Sequence, residues 1–174
     1  VNQQDSHTPT KGDLEEVTTD NNEPEKQDEE EQEEINSGIK NKYDGVLEPE
    51  ENLHWSVADF QAKEVERRSL DQSEESIVKV SIEFTYRNTD SRKHQMELQN
   101  NFTLRNSYDA YADIYQPSEI TVLNNENWDE EGGWLEPEGE VTAVMEFEVP
   151  KQEDPYLFHF KSYEYPKGLI VIFK

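Results

Sequence analysis

Five aromatic residues crowd one short stretch of the sequence: Tyr108, Tyr111, Tyr115, Trp128 and Trp134. Tyrosine and tryptophan offer a large rigid contact surface with a polar tip, which is why they concentrate where proteins meet partners. If the five share one exposed face, they make a binding patch for a protein or a glycan. The alternative is that Tyr108 and Trp134 belong to the core and the others are scattered over the surface.

Carboxylates are the second chemistry on offer. Asp109, Asp113, Asp129, Glu130 and Glu131 fall in the same stretch, at expected loops and strand ends. Such groups can supply oxygen ligands to Ca²⁺, or act as the acid and base of a glycosidase. The D-x-[DN]-x-[DN]-G pattern of a calcium loop is absent. With 41 acidic residues in the chain, almost any pair of carboxylates can be imagined as acid and base, and abundance empties the pairing of meaning. The expectation is a solvated charged loop with no metal site, Asp109, Asp113 and Asp129 being the candidates if one exists.

Nucleophile and metal chemistry find little else to use. There is no cysteine, hence no thiolate, disulfide or cysteine-held metal. His7, His54, His94 and His159 do not stand at a metal-ligand spacing such as H-E-x-x-H. No G-x-S-x-G elbow or glycine-rich phosphate loop is present. A serine triad is assembled in space rather than in sequence, so the sequence is silent on one. The expectation is a protein without catalytic residues and without a cofactor.

Any such residues must be positioned by strands. In Ser76–Asn88, Val78, Val80, Ile82, Phe84 and Tyr86 alternate with Lys79, Ser81, Glu83, Thr85 and Arg87. Period 2 in β-branched and aromatic residues predicts a half-buried strand needing a second apolar layer. Val141, Ala143, Met145, Phe147 and Val149 repeat the pattern, ended by Pro150. Further strands are predicted over about 53–65 with a bend near Asp59, over 95–104 with a bulge at Gln99-Asn100-Asn101, and over 108–115. A short one is expected at Ile120–Leu123, then one marked by Tyr156, Phe158 and Phe160. Leu169–Phe173 reads as a strand buried on both faces. Arg67–Glu75 and Asn124–Gly133 are expected loops, the latter carrying Trp128. Pro137-Glu138-Gly139 is an expected tight turn. Seven to eight short strands without an amphipathic helix point to an all-β, antiparallel β-sandwich, with a barrel as the alternative.

The formal net charge of −25 disfavours nucleic acid and anionic membrane surfaces as partners and suits cationic partners, divalent ions or plain solubility. Residues 1–51 hold 17 acids and 4 lysines, densest in Glu23–Glu34, EPEKQDEEEQEE. Like charges with nothing apolar to bury predict a disordered acidic linker ahead of a folded domain at 52–174. It serves as a solvated spacer or as a polyacidic arm for a basic partner. No apolar run approaches the length of a membrane span. The chain opens on Val1, which fits removal of a leader and a shortened piece alike.

Three pieces of the folded part resemble a bacterial domain-of-unknown-function family. These are Tyr86-Arg87-Asn88 before a polar turn, the Phe102-Thr103-Leu104 strand leading to Tyr108 and Tyr111, and Leu135-Glu136-Pro137-Glu138-Gly139 running to Phe147-Glu148-Val149-Pro150. The family comprises immunoglobulin-like modules on secreted proteins and lipoproteins of Gram-positive bacteria, similar in fold to the mycobacterial secreted immunoprotective antigen. Two departures stand out. Glu138 is inserted into the family's Pro-Gly, and Asp109 or Ala110 replaces its turn glycine. The resemblance implies an immunoglobulin-like sandwich, an extracellular cell-surface location, a lipid-anchored cysteine upstream of Val1 as the sole link to the membrane, and no established catalytic residues. The functional expectation is a non-catalytic module binding a protein or cell-envelope component. The alternatives are a cell-wall glycan hydrolase using carboxylates of Asp109–Glu131, and a structural spacer without a ligand.

Overall fold

The computed structural model describes residues 41–54, 57–70, 76–108 and 111–174, within the unit Asn36–Lys174. Eleven strands lie among the described residues: β1 (Gly45–Leu47), β2 (Leu53–His54), β3 (Ala58–Leu70), β4 (Ile77–Asn88), β5 (His94–Gln95), β6 (Phe102–Arg105), β7 (Ile114–Tyr115), β8 (Glu119–Asp129), β9 (Trp134–Pro150), β10 (Tyr156–Phe160) and β11 (Leu169–Phe173). They form two sheets facing each other across one core, a β-sandwich. The larger sheet runs β2-β3-β4-β9-β5, with β8 also pairing β9, and the smaller runs β1-β11-β10-β6-β7.

Strand β4 is the centre of the larger sheet, as its alternation requires. It pairs antiparallel with β3 from Ala58↔Asn88 to Leu70↔Ile77, and with β9 from Ile77↔Pro150 to Arg87↔Glu140. Val80, Ile82, Phe84 and Tyr86 are buried against the smaller sheet, and burying side chains of this size contributes about 1.5–3 kcal/mol each. On the opposite face polar residues pair across strands, Lys79 Nζ reaching Glu146 Oε2 at 2.6 Å and the Thr85 and Thr142 hydroxyls meeting at 3.0 Å. Aromatic rings join the layers. Phe84 of the larger sheet lies 4.2 Å, centroid to centroid, from Phe102 of the smaller, and Phe60 stacks on Phe160 at 5.8 Å.

All five residues of β11 are buried, in agreement with their unbroken apolar run. Leu169, Val171 and Phe173 face the core, while Ile170 turns outward beneath Tyr43, with Val46 and Tyr108 packed alongside. Tyr43 and Val46 of that outer cover come from residues expected to be leader. Residues 1–40 of the acidic linker lie outside the described residues, but the boundary expected at 52 is overtaken by β1, which pairs parallel with β11 from Gly45↔Leu169 to Leu47↔Val171. Val46-Leu47, set among glycine, proline and acids, is too short an apolar run to announce a strand; the exposed flank of β11 makes it one.

Other expectations are redrawn. The predicted first strand is two strands, β2 and β3, paired through Leu53↔Phe60, and β3 continues to Leu70 through part of the expected loop. The expected bulge at Gln99-Asn100-Asn101 is a helical turn, Leu98–Asn101. Asn101 fixes it, its Oδ1 accepting the Glu97 amide at 2.6 Å and its Nδ2 donating to the Lys161 carbonyl at 2.8 Å. The tight turn expected at Pro137-Glu138-Gly139 does not reverse the chain. β9 continues through it, with Glu138 at φ 60° and the β8 register shifting nearby. A Cβ on Gly139 would sit 2.9 Å from the Glu136 carbonyl and 3.0 Å from that of Glu126, so only glycine lets β8 and β9 close here.

Candidate binding cleft under strand β8

Strand β8 is the long free edge of the larger sheet. Its register with β9 runs from Glu119↔Glu146 to Asp129↔Trp134, shifting between Val122 and Asn124 and again between Glu126 and Trp128. Residues 124–129, expected as loop, therefore belong to a strand. Ile120, Val122 and Trp128 line one wall of a cleft of about 460 Å³, and Met96, Leu98 and the helical turn line the other. Trp128 and Ile120 also pack against the core, so the floor is apolar and continuous with the sandwich interior.

Backbone bonds hold the cleft's shape. The Met96 amide donates to the Gly133 carbonyl at 2.8 Å, and the Met96 carbonyl accepts the Trp128 indole Nε1 at 3.0 Å. Gly133 takes φ 66°, and a Cβ there would strike Glu97 Cγ at 2.7 Å. Glu97, Glu130 and Glu131 form the acidic rim. Glu97 accepts Asn100 Nδ2 at 2.9 Å and Gln95 Nε2 at 2.8 Å, and these bonds hold its carboxyl below the usual glutamate range. A glycosidase acid needs a shift in the opposite direction.

The five aromatics do not share a face. Trp128 points inward beside Leu135, while Trp134, paired with Asp129 and Gln95, is half-exposed on the other side of the sheet. Tyr115 packs on the core from β7 in the smaller sheet. Tyr108 lies against the Tyr43–Ile170 cluster, its carbonyl accepting Lys42 Nζ at 3.0 Å, and burial raises its hydroxyl pKa. Tyr111 is 97% exposed. The expected strand over 108–115 contracts to Ile114–Tyr115. Only Trp128 of the five lines the cleft.

The carboxylate candidates are likewise apart. Asp129 Oδ1 accepts the Gly132 amide at 3.1 Å and shapes the β8–β9 turn. Asp113 and Asn106 bond reciprocally, at 3.1 Å through the Asn106 amide group and 3.0 Å through the Asp113 backbone amide. Asp109 lies outside the described residues. Among the described residues no three histidines or carboxylates are grouped to hold a metal ion.

A second cavity, of about 520 Å³, opens beside Trp134 and is lined by Asp90, Arg92, Lys93, His94 and Tyr163 among others. At its base the Tyr86 hydroxyl meets His94 Nδ1 at 2.6 Å, and His94 Nε2 lies 3.5 Å from Asp90 Oδ2. Burial would raise the Asp90 pKa, but hydrogen bonds from Arg92 and the Ser91 amide outweigh it and hold the carboxyl low. This is the order carboxylate, imidazole, hydroxyl, yet it is no nucleophile relay. Tyr86 is fully buried, and burial together with its hydrogen-bonded neighbour Tyr165 drives its hydroxyl pKa far upward. The network closes the β4–β5 turn instead, with Asn88 Nδ2 donating to the carbonyls of Arg92, Leu135 and Glu136. Sequence reasoning missed Met96 and Glu97 as residues of the cleft and His94 as a residue of the second cavity. The polar cluster Gln99-Asn100-Asn101 was the one signal for Glu97, which Asn100 and Asn101 bond.

The chain is similar to an uncharacterized β-sandwich protein from Clostridium difficile 630, at 15% identity and a TM-score of 0.43, over 75% of this chain and 95% of that one. No protein-family model matches the chain, and no curated protein matches it.

Proposed function

We propose that this chain is a non-catalytic binding module displayed at the cell surface, taking a protein or cell-envelope component in the cleft under β8. The lipoprotein setting, with a lipid anchor upstream of Val1 and the acidic segment as tether, follows the resemblance to the Gram-positive immunoglobulin-like family. The observation that carries the binding reading is the cleft itself. An indole and three apolar side chains, Met96, Ile120 and Val122, floor an open groove beside a free strand edge. Of the rim carboxylates, Glu97 is engaged in holding local structure, and Asp129, just outside the rim, holds the β8–β9 turn. The exposed lining is more polar than apolar, with Glu97, Gln99, Asn100, Glu130 and Glu131 around the apolar floor, so the groove suits a ligand that is itself polar or charged.

The test is a ¹H–¹⁵N titration of the full chain with solubilised cell-wall fragments and with envelope protein fractions, alongside a reducing-sugar assay. Shifts confined to 96–100, Trp128 and Gly132–Gly133 with no sugar released support the module. Sugar release that disappears in Glu130→Gln or Glu131→Gln would make the chain a hydrolase. Spectra unchanged by every fraction would leave a spacer.

A further inference from the structure

Most free edges of the two sheets are short: β1 has three residues, and β2, β5 and β7 have two each. Short edges are one way proteins prevent stray pairing. Strand β8 has 11 residues, and among the described residues its only strand partner is β9. Much of the ordinary protection is missing along its first half. Residues 119–129 contain no lysine, arginine or proline, and Ile120–Asn125 carries no charge. Leu123 is 56% exposed and Val122 37%. The register shifts break the ladder but leave regular pairing over Glu119–Val122, the part beside the cleft wall.

The electrostatics select the occupant. Glu119, Glu126, Asp129, Glu130 and Glu131 border this edge with no basic residue among them, and Glu97 adds an ionised carboxylate at the cleft. A second copy of a chain with net charge −25 is repelled. The chain's own residues 1–40, with 13 acids against 3 lysines, are repelled as well. What fits is an extended segment of another protein in which lysine or arginine alternates with small or β-branched apolar residues.

Resting on the binding-module reading above, we propose that β8 is a strand-addition site for a basic extended peptide. The peptide backbone pairs with Glu119–Glu126, one set of alternate side chains enters the Trp128 cleft, and its cations meet Glu97, Glu130 and Glu131. Main-chain bonding supplies affinity and the cleft supplies selection in this mode of recognition. The acidic rim raises the association rate and makes binding salt-sensitive.

The probe is a synthetic peptide of about nine residues, lysine alternating with valine and threonine, added to the ¹⁵N-labelled full chain. Its controls are the same peptide N-methylated at every second residue, which keeps charge but cannot form the ladder, and a version with glutamate for lysine. The expected result is amide exchange slowed about tenfold or more across 119–126, a shift of the Trp128 indole, and roughly tenfold weaker binding of the N-methylated peptide. The acidic peptide and the doubly substituted Glu130→Lys, Glu131→Lys chain show no binding. Equal affinity for the methylated and unmethylated peptides overturns strand addition, leaving simple charge attraction. Shifts of the cleft without protection of β8 also overturn it while leaving the cleft a binding site. If neither this peptide nor the envelope fractions move any cleft signal, the binding-module reading falls with it.

Discussion

The Trp128 indole donates to the Met96 carbonyl across 3.0 Å, bonding an edge strand to the segment that leads into the helical turn. Among the described residues the only strand that β8 pairs with is β9. This bond sets the width of the cleft and limits how far the edge can peel away.

Trp128→Phe keeps most of the apolar contact and removes the donor, leaving the Met96 carbonyl without it. The expected cost is about 1–2 kcal/mol in chemical denaturation. Trp128→Ala, which also empties volume, is expected to cost roughly 3–5 kcal/mol. Amide exchange should rise first at 119–129. A uniform rise across both sheets would show that the edge and the core open together.

Tyr86→Phe tests the buried network. His94 Nδ1 would lose its 2.6 Å partner. The expected loss is roughly 1–3 kcal/mol. If the network served as a catalytic relay instead, the variant would keep its melting temperature and lose a turnover that the parent possesses.

Asn88→Ala should be among the costlier polar-to-apolar changes. The two Nδ2 hydrogens serve three carbonyls, one hydrogen being shared, and Oδ1 accepts the Asp90 amide, joining the end of β4 to β9. A loss of roughly 3 kcal/mol is expected from urea unfolding. Asn88→Asp replaces the donor with an acceptor facing three carbonyls and should be no milder.

Acid should weaken the fold through His159. Burial, with Arg105 nearby, pushes its pKa down from 6.5 to about 4. The unfolded chain takes up this proton near 6.5 and the folded chain only near 4, so between those values the unfolded state holds more protons. Stability then falls as pH drops from 6.5 toward 4 and is indifferent to this group above 6.5. Melting curves of the parent and His159→Gln should converge as the pH is lowered through that window. Parallel curves would mean the imidazole titrates alike in both states.

The elements legible from sequence are those whose two faces differ or are both buried. In β4, Val78 to Tyr86 alternate without a break, and in β9, Val141 to Val149 do the same. β11 is apolar throughout. β8 has no such signature: its inward residues are Ile120, Val122 and Trp128, interrupted by register shifts at Leu123 and Asn127, so the alternation dissolves into apparent loop. The aromatic window failed for a related reason. Trp128 and Trp134 flank one tight connection, yet Trp128 pairs with Leu135 and Trp134 with Asp129, which sends the two rings to opposite faces. Nearness in sequence carries no information about face once a strand reverses. The helical turn was hidden because Asn101 is set by a carbonyl 60 residues away, at Lys161.

The parallel pairing of β1 with β11 also has a mechanical meaning. Because the two strands run the same way, tension drawn from the N-terminal side of Gly45 and the C-terminal side of Phe173 acts along the strand axes and in opposite senses. The three paired positions and the Asp44 clasp on Lys167 and Gly168 are then loaded together in shear. An antiparallel hairpin pulled at its open end would yield one bond at a time. Tension across the two ends therefore loads this short joint as a unit.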